Sequence, residues 1–267
     1  MSESSSSAHR LELLALGGIG EVQPGDDLAG LIVEALRAAG IGPRSDDVMV
    51  VTQKVVSKAE GRVVALASVI PSPEAAAWAA RWGKDPRQVE LVLRESAEIV
   101  RWADGGLIIG RTRHGFVCAN AGVDLSNTGG DEVATLLPTD PDGSALALRA
   151  ALAERLGVAP AVVISDSFGR PWRNGIVNVA IGAAGLAPLA DLRGTPDAQG
   201  RVMLSTVIAV ADELASAADL AGGKTGQRPV IVVRGYVPTV PAAGTDGEAG
   251  ASGAAALVMD RERDLFP

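Results

Sequence analysis

The sequence predicts an α/β (mixed α+β) fold in one large domain, and three observations predict it. Runs of β-branched residues alternate with segments whose apolar residues recur at helical spacing. Gly and Pro punctuate the boundaries between them. The hydrophobic fraction of 47% over 267 residues, carried mostly by Ala, Val, Leu and Ile, is ample for a core and too rich for disorder.

The elements follow in order. Leu11–Leu16 reads as a short strand. Pro24-Gly25 sets an entry turn, and Asp26 or Asp27 caps a helix whose Leu28, Leu31, Ile32, Ala35 and Leu36 share one face. Asp47–Thr52 is a β-branched strand. Pro73–Gly83 and Pro86–Trp102 read as two helices. Leu107–Ile109 and Phe116–Ala119 read as a hairpin around Thr112–Gly115. Asp142–Leu156 is a helix closed by Gly157, Ala161–Ser165 a buried strand, Leu204–Leu220 a long Ala-rich helix and Pro229–Arg234 a last strand. Residues 1–10 are expected to be a disordered Ser-rich tail, and residues 239–256 a mobile Gly- and Ala-rich segment.

Composition excludes several functions. With 1 Cys, no intrachain disulfide or Cys-rich zinc site can form. With 2 His, one of them in the tail, there is no three-His metal site, and only His114 remains as an imidazole base. A net charge of −8 and few aromatics argue against a nucleic-acid surface. No apolar run approaches the roughly 20 residues of a membrane span, and the Ser-rich N-terminus lacks the apolar stretch of a secretory signal. The expected location is the cytoplasm.

Two motifs imitate nucleotide loops. Ala218–Thr225 ends like a P-loop but has Ala218 where the motif needs Gly, and an Ala-rich helix stands where it needs a strand. Gly17-Gly18-Ile19-Gly20 begins like a dinucleotide fingerprint, but Gln23 occupies the place of its third Gly.

Five polar clusters are stronger candidates. Gln53–Arg62 places Lys54, Lys58 and Arg62 directly after a strand, either to reach a phosphate or as a solvated strand exit. Asn120–Asn127 surrounds Asp124 with small residues and carboxamides, suiting a hard divalent cation or a simple Asx turn. Ser165–Gly175 ends a buried strand in Asp166-Ser167 and follows it with Arg170 and Arg173. That cluster fits metal ions and guanidinium forks neutralising a polyanion during transfer; a structural Asp–Arg pair is the plainer reading. Asp191–Asp197 reads as a loop closed by an ion pair. Gly222–Pro229 is Gly-rich and positive, either an anion cradle or a flexible connection. Cys118 reads as a small buried hydrophobe.

Together these clusters resemble the F420 γ-glutamyl ligase family, the coenzyme F420-0:L-glutamate ligases. The matching blocks include Pro24–Ile32, Val50–Arg62, Asp85–Ser96, Cys118–Asn127, Leu136–Ala145, Val163–Gly175, Ala180–Gly194 and Thr206–Leu220, in the family's order. The resemblance implies an F420 γ-glutamyl ligase-like fold in an intertwined homodimer. It implies GTP as cosubstrate, two Mg²⁺ or Mn²⁺ sites, K⁺ as a further candidate ion, and the small-molecule substrates F420-0 and L-glutamate, without nucleic acid or membrane. L-Glutamate would be added to F420-0, with further γ-linked glutamates a possibility, through an acyl phosphate, releasing GDP and phosphate.

The resemblance also implies roles for residues. Ile19, Gly20, Glu21 and Val22 would contact the nucleotide, although Ile19-Gly20 replaces the family's usual Leu-Pro. Gln53, where Ser or Thr is usual, and Lys58 would join them, with Asn127. Asp124, Asp166 and Ser167 would hold the metals. Arg170 and Arg173 are assigned from chemistry to the substrate's carboxylate or phosphate. Many actinobacterial relatives carry a C-terminal flavin-binding domain, so the chain is expected to be a stand-alone ligase or one domain of a longer protein, with no flavin chemistry. The alternatives are a metal-dependent nucleotide phosphohydrolase and a non-catalytic nucleotide-binding module.

Overall fold

The three most β-branched runs lie side by side at the centre of the molecule. The computed structural model describes residues 8–125, 132–239 and 253–263. The start of the Ser-rich tail, Ser126 and Asn127, and most of the Gly- and Ala-rich segment lie outside the described residues. The chain begins with β1 (Glu12–Leu16), α1 (Leu28–Ala38), β2 (Val48–Thr52), α2 (Gln53–Ala59) and β3 (Val63–Ala65). It continues through α3 (Pro73–Trp82), α4 (Pro86–Glu95), β4 (Ser96–Ala103), β5 (Leu107–Thr112), β6 (Val117–Ala119) and β7 (Val133–Thr135). Then come α5 (Pro141–Leu156), β8 (Ala161–Arg170), β9 (Arg173–Ala184), the short β10 (Ala190–Asp191) and β11 (Val207–Ile208), α6 (Val210–Gly222) and β12 (Val230–Arg234).

The main sheet has five strands in the order β1-β12-β2-β8-β9. β2 and β8 run parallel, and the other neighbours are antiparallel. Its inner strands are apolar on both faces because both faces are covered. Met49, Val51, Val162 and Ile164 pack with Ile32 and Leu36 of α1 and Leu148 and Leu152 of α5. Val48, Val50, Val163 and Ile231 point the other way, against Ala211, Leu214 and Ala215 of α6. Asp27 caps α1 by accepting from Gly30 N, and Asp140 caps α5 by accepting from Gly143 N, the arrangement expected of Asp before a helix.

β9 carries a bulge where Ile164 pairs with Gly182 but Ser165 with Ala180. The bulge brings Gly182 against the first turn of α5, where a Cβ would lie 2.2 Å from Pro141 O. A smaller unit packs Val89, Val92, Ile108, Val123 and Leu136 around α3, α4 and the three-stranded sheet β4-β5-β6. Trp78 and Trp102 meet in it with ring centroids 4.7 Å apart.

Three expectations are corrected. The helix from Pro86 stops at Glu95, and Ser96–Ala103 is a strand. Ser96 Oγ donates to Val92 O at 2.6 Å and ends the helix, while Ile99 and Arg101 pair with Gly110 and Ile109 of β5. The helix expected from Leu204 begins at Val210, because Val207-Ile208 pairs with Ala190-Asp191. The strand expected to end at Ser165 runs on to Arg170 and turns at Pro171-Trp172 into β9. The hairpin of β5 and β6 is as expected, closed by Gly115 N donating to Thr112 O. Among the described residues no helix is long and apolar enough to cross a membrane.

Candidate active site

Strand directions bring separated segments to one edge of the main sheet. β2 and β8 are parallel with Thr52 beside Ser165, so their C-terminal ends are adjacent. β1 and β12 run antiparallel with Leu16 beside Val230, and Thr52 N donates to Pro229 O. The loop after Leu16, the start of α2, the Asp166-Ser167 step and the loop before Pro229 therefore meet at that edge. Ligands commonly bind outside the carboxyl ends of parallel strands. Asp124 arrives from the smaller unit, held by a reciprocal backbone pair with Thr135 at 3.0 and 2.8 Å.

The turn before Asp124 is strained in a way the sequence explains. Asn120, Ala121 and Gly122 all have positive φ, at 52°, 49° and 74°. A Cβ on Gly122 would lie 2.6 Å from Leu137 Cγ, so only glycine fits under that side chain.

Two carboxylates and two ammonium groups form the centre of the site. Lys54 Nζ lies 2.9 Å from Asp124 Oδ2. Lys224 Nζ donates to Ser167 Oγ at 2.5 Å, and that hydroxyl donates to Asn178 Oδ1 at 2.7 Å. Asp166 Oδ1 accepts from Ser167 N at 2.8 Å. The Asp166 carboxyl is pushed up to about 6, first by burial and also by the charge of Asp124, against the Ser167 N–H, Lys224 and Lys54. Cys118 packs nearby, its thiol pushed up to about 12 by burial and the charge of Asp166. That keeps it a neutral thiol, as its apolar neighbours imply.

The other predicted residues take varied places. Ile19 and Val22 are core side chains, leaving only their backbone for a ligand, whereas Gly20 and Glu21 are exposed. Glu21 pairs with the buried Lys58. Gln53 is buried and bonded to Ser57 Oγ and Leu136 O at 2.6 and 3.2 Å, so it braces α2. Arg170 and Arg173 face each other across the exposed hairpin tip, and Arg170 Nη2 donates to Asn174 O at 3.2 Å. Arg170 is four steps along the strand from Asp166, roughly 13 Å at about 3.3 Å per residue. Asn127 lies outside the described residues. The Asp191–Asp197 loop carries the expected ion pair, Arg193 with Asp191 at 2.5 Å.

Lys224 and Asn178 were missed as site residues, and Lys54 was noticed only as a cation. The signal for Lys224 was present in the Gly-Gly-Lys-Thr ending of the P-loop imitation. Asn178 is a lone carboxamide inside a strand pattern, with no local signal at all.

The donor set fits one hard divalent cation. Asp124 and Asp166 are oxygen donors that repel each other, which is what a cation between them would relieve. Ser167 fits less well as a ligand, because its hydroxyl already serves Lys224 and Asn178. Among the described residues no group of three or more His, Cys, Asp or Glu side chains gathers as a metal cluster.

Comparison with known proteins bears on this geometry. The family model described as F420-0:Gamma-glutamyl ligase matches residues 18–235. A coenzyme F420:L-glutamate ligase of Methanothermobacter thermautotrophicus is 48% identical over 227 residues, covering 85% of this chain and 89% of that protein. Its counterpart in Methanopyrus kandleri is 44% identical over 247 residues, covering 92% and 93%. That of Methanocaldococcus jannaschii is 40% identical over 222 residues, covering 82% and 84%.

Proposed function

The chain belongs to the F420-0:gamma-glutamyl ligase family and is a ligase, and from that premise we propose that it adds L-glutamate to coenzyme F420-0 at this sheet edge, using GTP. The observation that carries the reading is the meeting of Asp124, Asp166, Lys54 and Lys224, drawn from four separate segments.

The chemistry asks for such a set. An amine does not displace oxygen from a carboxylate at neutral pH, because the leaving group is too poor. Transfer of the γ-phosphoryl group of GTP to the F420-0 carboxylate releases GDP and makes an acyl phosphate. The glutamate amine then attacks the acyl carbon, the C–O bond to phosphate breaks, and a proton leaves the nitrogen. Phosphoryl transfer depends on positioning and charge neutralisation, not on a nucleophilic side chain. Mg²⁺ or Mn²⁺, when held by Asp124 and Asp166, supplies part of that neutralisation. Lys54 orients the Asp124 carboxylate. Lys58, anchored by Glu21, is placed to exchange that partner for a phosphate. The backbone of residues 19–22 and Asn127 complete the nucleotide contacts in this reading. An intertwined homodimer is part of the same proposal, supported by the exposed hairpin tip, where Trp172 is 85% and Ile176 58% accessible.

Mass spectrometry of F420-0 incubated with the protein, GTP, Mn²⁺ and L-glutamate tests the reading. The expected product has gained one or more glutamyl residues, and Lys58→Ala forms it more slowly, with a raised KM for GTP. GTP hydrolysis that needs neither F420-0 nor glutamate, with no mass gain, would support a phosphohydrolase instead.

A further inference from the structure

We propose that Arg62 is a positioning residue for the glutamyl transfer: by fastening residues 135–137 to the end of α2, it sets where Asp124 stands against Lys54 and Asp166. This rests on the ligase reading above and removes Arg62 from the cations available to phosphate.

Asp124 comes from the smaller unit, whereas Asp166 lies on β8 of the main sheet and Lys54 on the helix that follows β2. The two units join at residues 135–137. Leu136 packs in the core of the smaller unit, and Leu137, the next residue, packs in the core under the main sheet. Thr135 lies between two ribbons, paired antiparallel with Val63 on β3 and in the reciprocal backbone pair with Asp124. Gly122, two residues before Asp124, rests on the Leu137 side chain. A shift of residues 135–137 therefore carries Asp124 with it.

Both ends of α2 grip this segment. At the start of the helix Gln53 Nε2 donates to Leu136 O at 3.2 Å. Past its end Gly61 turns the chain with φ of 71°, and Arg62 N donates to Ser57 O at 2.8 Å, which fixes Arg62 to the helix. Arg62 O then accepts from Leu136 N at 2.9 Å, and Arg62 Nε donates to Leu137 O at 2.8 Å. Glu95, the last residue of α4, accepts from Arg62 Nη2 at 2.8 Å and orients the guanidinium. The fork is thus turned onto a carbonyl and a carboxylate of the protein, with the side chain 27% exposed. Because α2 also carries Lys54, one helix sets both members of the Lys54–Asp124 pair. Reacting groups tolerate little misplacement: about 1 Å can cost on the order of a hundredfold in rate.

Substitutions at Arg62 separate positioning from charge. Gln carries Nε2 at the chain position of Arg Nε, so Arg62→Gln keeps a donor for Leu137 O and gives up the pair with Glu95. Arg62→Met has similar reach and no donor. With F420-0, GTP, Mn²⁺ and L-glutamate, kcat should fall roughly ten- to a hundredfold in Arg62→Met. Arg62→Gln and Glu95→Gln should keep most of the wild-type kcat, and Arg62→Gln decides between the roles even if Arg62→Met does not fold. A double-mutant cycle on binding of a fluorescent non-hydrolysable GTP analogue with Mn²⁺ supplies a second readout. Arg62→Met should weaken binding in the wild-type background and add nothing in Asp124→Asn, because Asp124 is the group through which it acts. Arg62→Gln with a kcat as low as that expected of Arg62→Met would show the guanidinium charge itself at work and overturn the proposal. Wild-type kcat in Arg62→Met, or equal weakening by it in both backgrounds, would also overturn it, and each of these results leaves the ligase reading standing. Wild-type protein that adds no glutamate would overturn both.

Discussion

At the scale of single residues, Asp166 carries the most information about the site. Its carboxyl, raised to about 6, holds its proton in the folded chain at pH values where an unfolded Asp has lost it. The resulting stabilisation is complete below about pH 4 and is lost as pH rises through about 6. Above that the folded chain contains an ionised, half-buried carboxylate facing Asp124. Asp166→Asn removes this loss. In chelator, its stability relative to wild type should therefore rise by about 1 kcal/mol between pH 5 and pH 7.5, read from urea midpoints. Parallel curves for the two proteins would show that Asp166 is not perturbed. The same variant should abolish glutamyl transfer. Stability gained where activity is lost is the mark of a group placed for chemistry and not for the fold.

At the scale of elements, β9 and α5 show how a short stretch sets a packing contact. The bulge at Ala180–Gly182 points Ile181 into the core and Gly182 at the first turn of α5. Gly182→Ala would set a methyl group against the Pro141 carbonyl, a clash that backbone must relieve. It should cost about 3 kcal/mol, at the upper end for overpacking, with a matching fall in the denaturation midpoint. A variant as stable as wild type would mean that α5 can shift freely. Elements with strong caps, such as α1 after Asp27 and α3 after Ser72, were legible from the sequence because cap and apolar face are both local. The end of α4 was not. Leu-Val-Leu-Arg-Glu-Ser-Ala-Glu-Ile-Val continues a helical period past Glu95, and only pairing with β5 draws Ser96–Ala103 into a strand.

At the scale of the whole molecule, the last strand among the described residues occupies the inside of the sheet. β12 lies between β1 and β2, so the sheet closes only when Val230–Arg234 returns to the strands formed by Glu12–Leu16 and Val48–Thr52. Asp47 and Arg234 fasten that return. Asp47 is fully buried, and its two oxygens accept from Arg234 Nε and Nη2 at 2.8 and 2.7 Å. Its Oδ2 also accepts from Arg44 N at 2.8 Å. Arg234→Ala would leave the Asp47 carboxylate buried with one backbone donor. It should cost about 3 kcal/mol, since breaking a buried pair strands a charge. An unchanged midpoint in thermal or urea melts would show that water replaces the guanidinium.

The sequence by itself determined the class of fold, most element positions and the residue types that the chemistry requires. Those depend on local periodicity, on caps and turns, and on ordered blocks such as Ser165–Gly175 that carry the family's pattern. Tertiary structure alone decided which groups meet. Lys54 reaches Asp124, and Lys224 reaches Ser167 from a loop whose sequence imitates a different motif. Arg170 and Arg173, which sit in the most pointed cluster of the sequence, are carried out to a hairpin tip by a strand that keeps going. Strand order and direction are long-range choices made by burial of both sheet faces. No pattern within a short window records them.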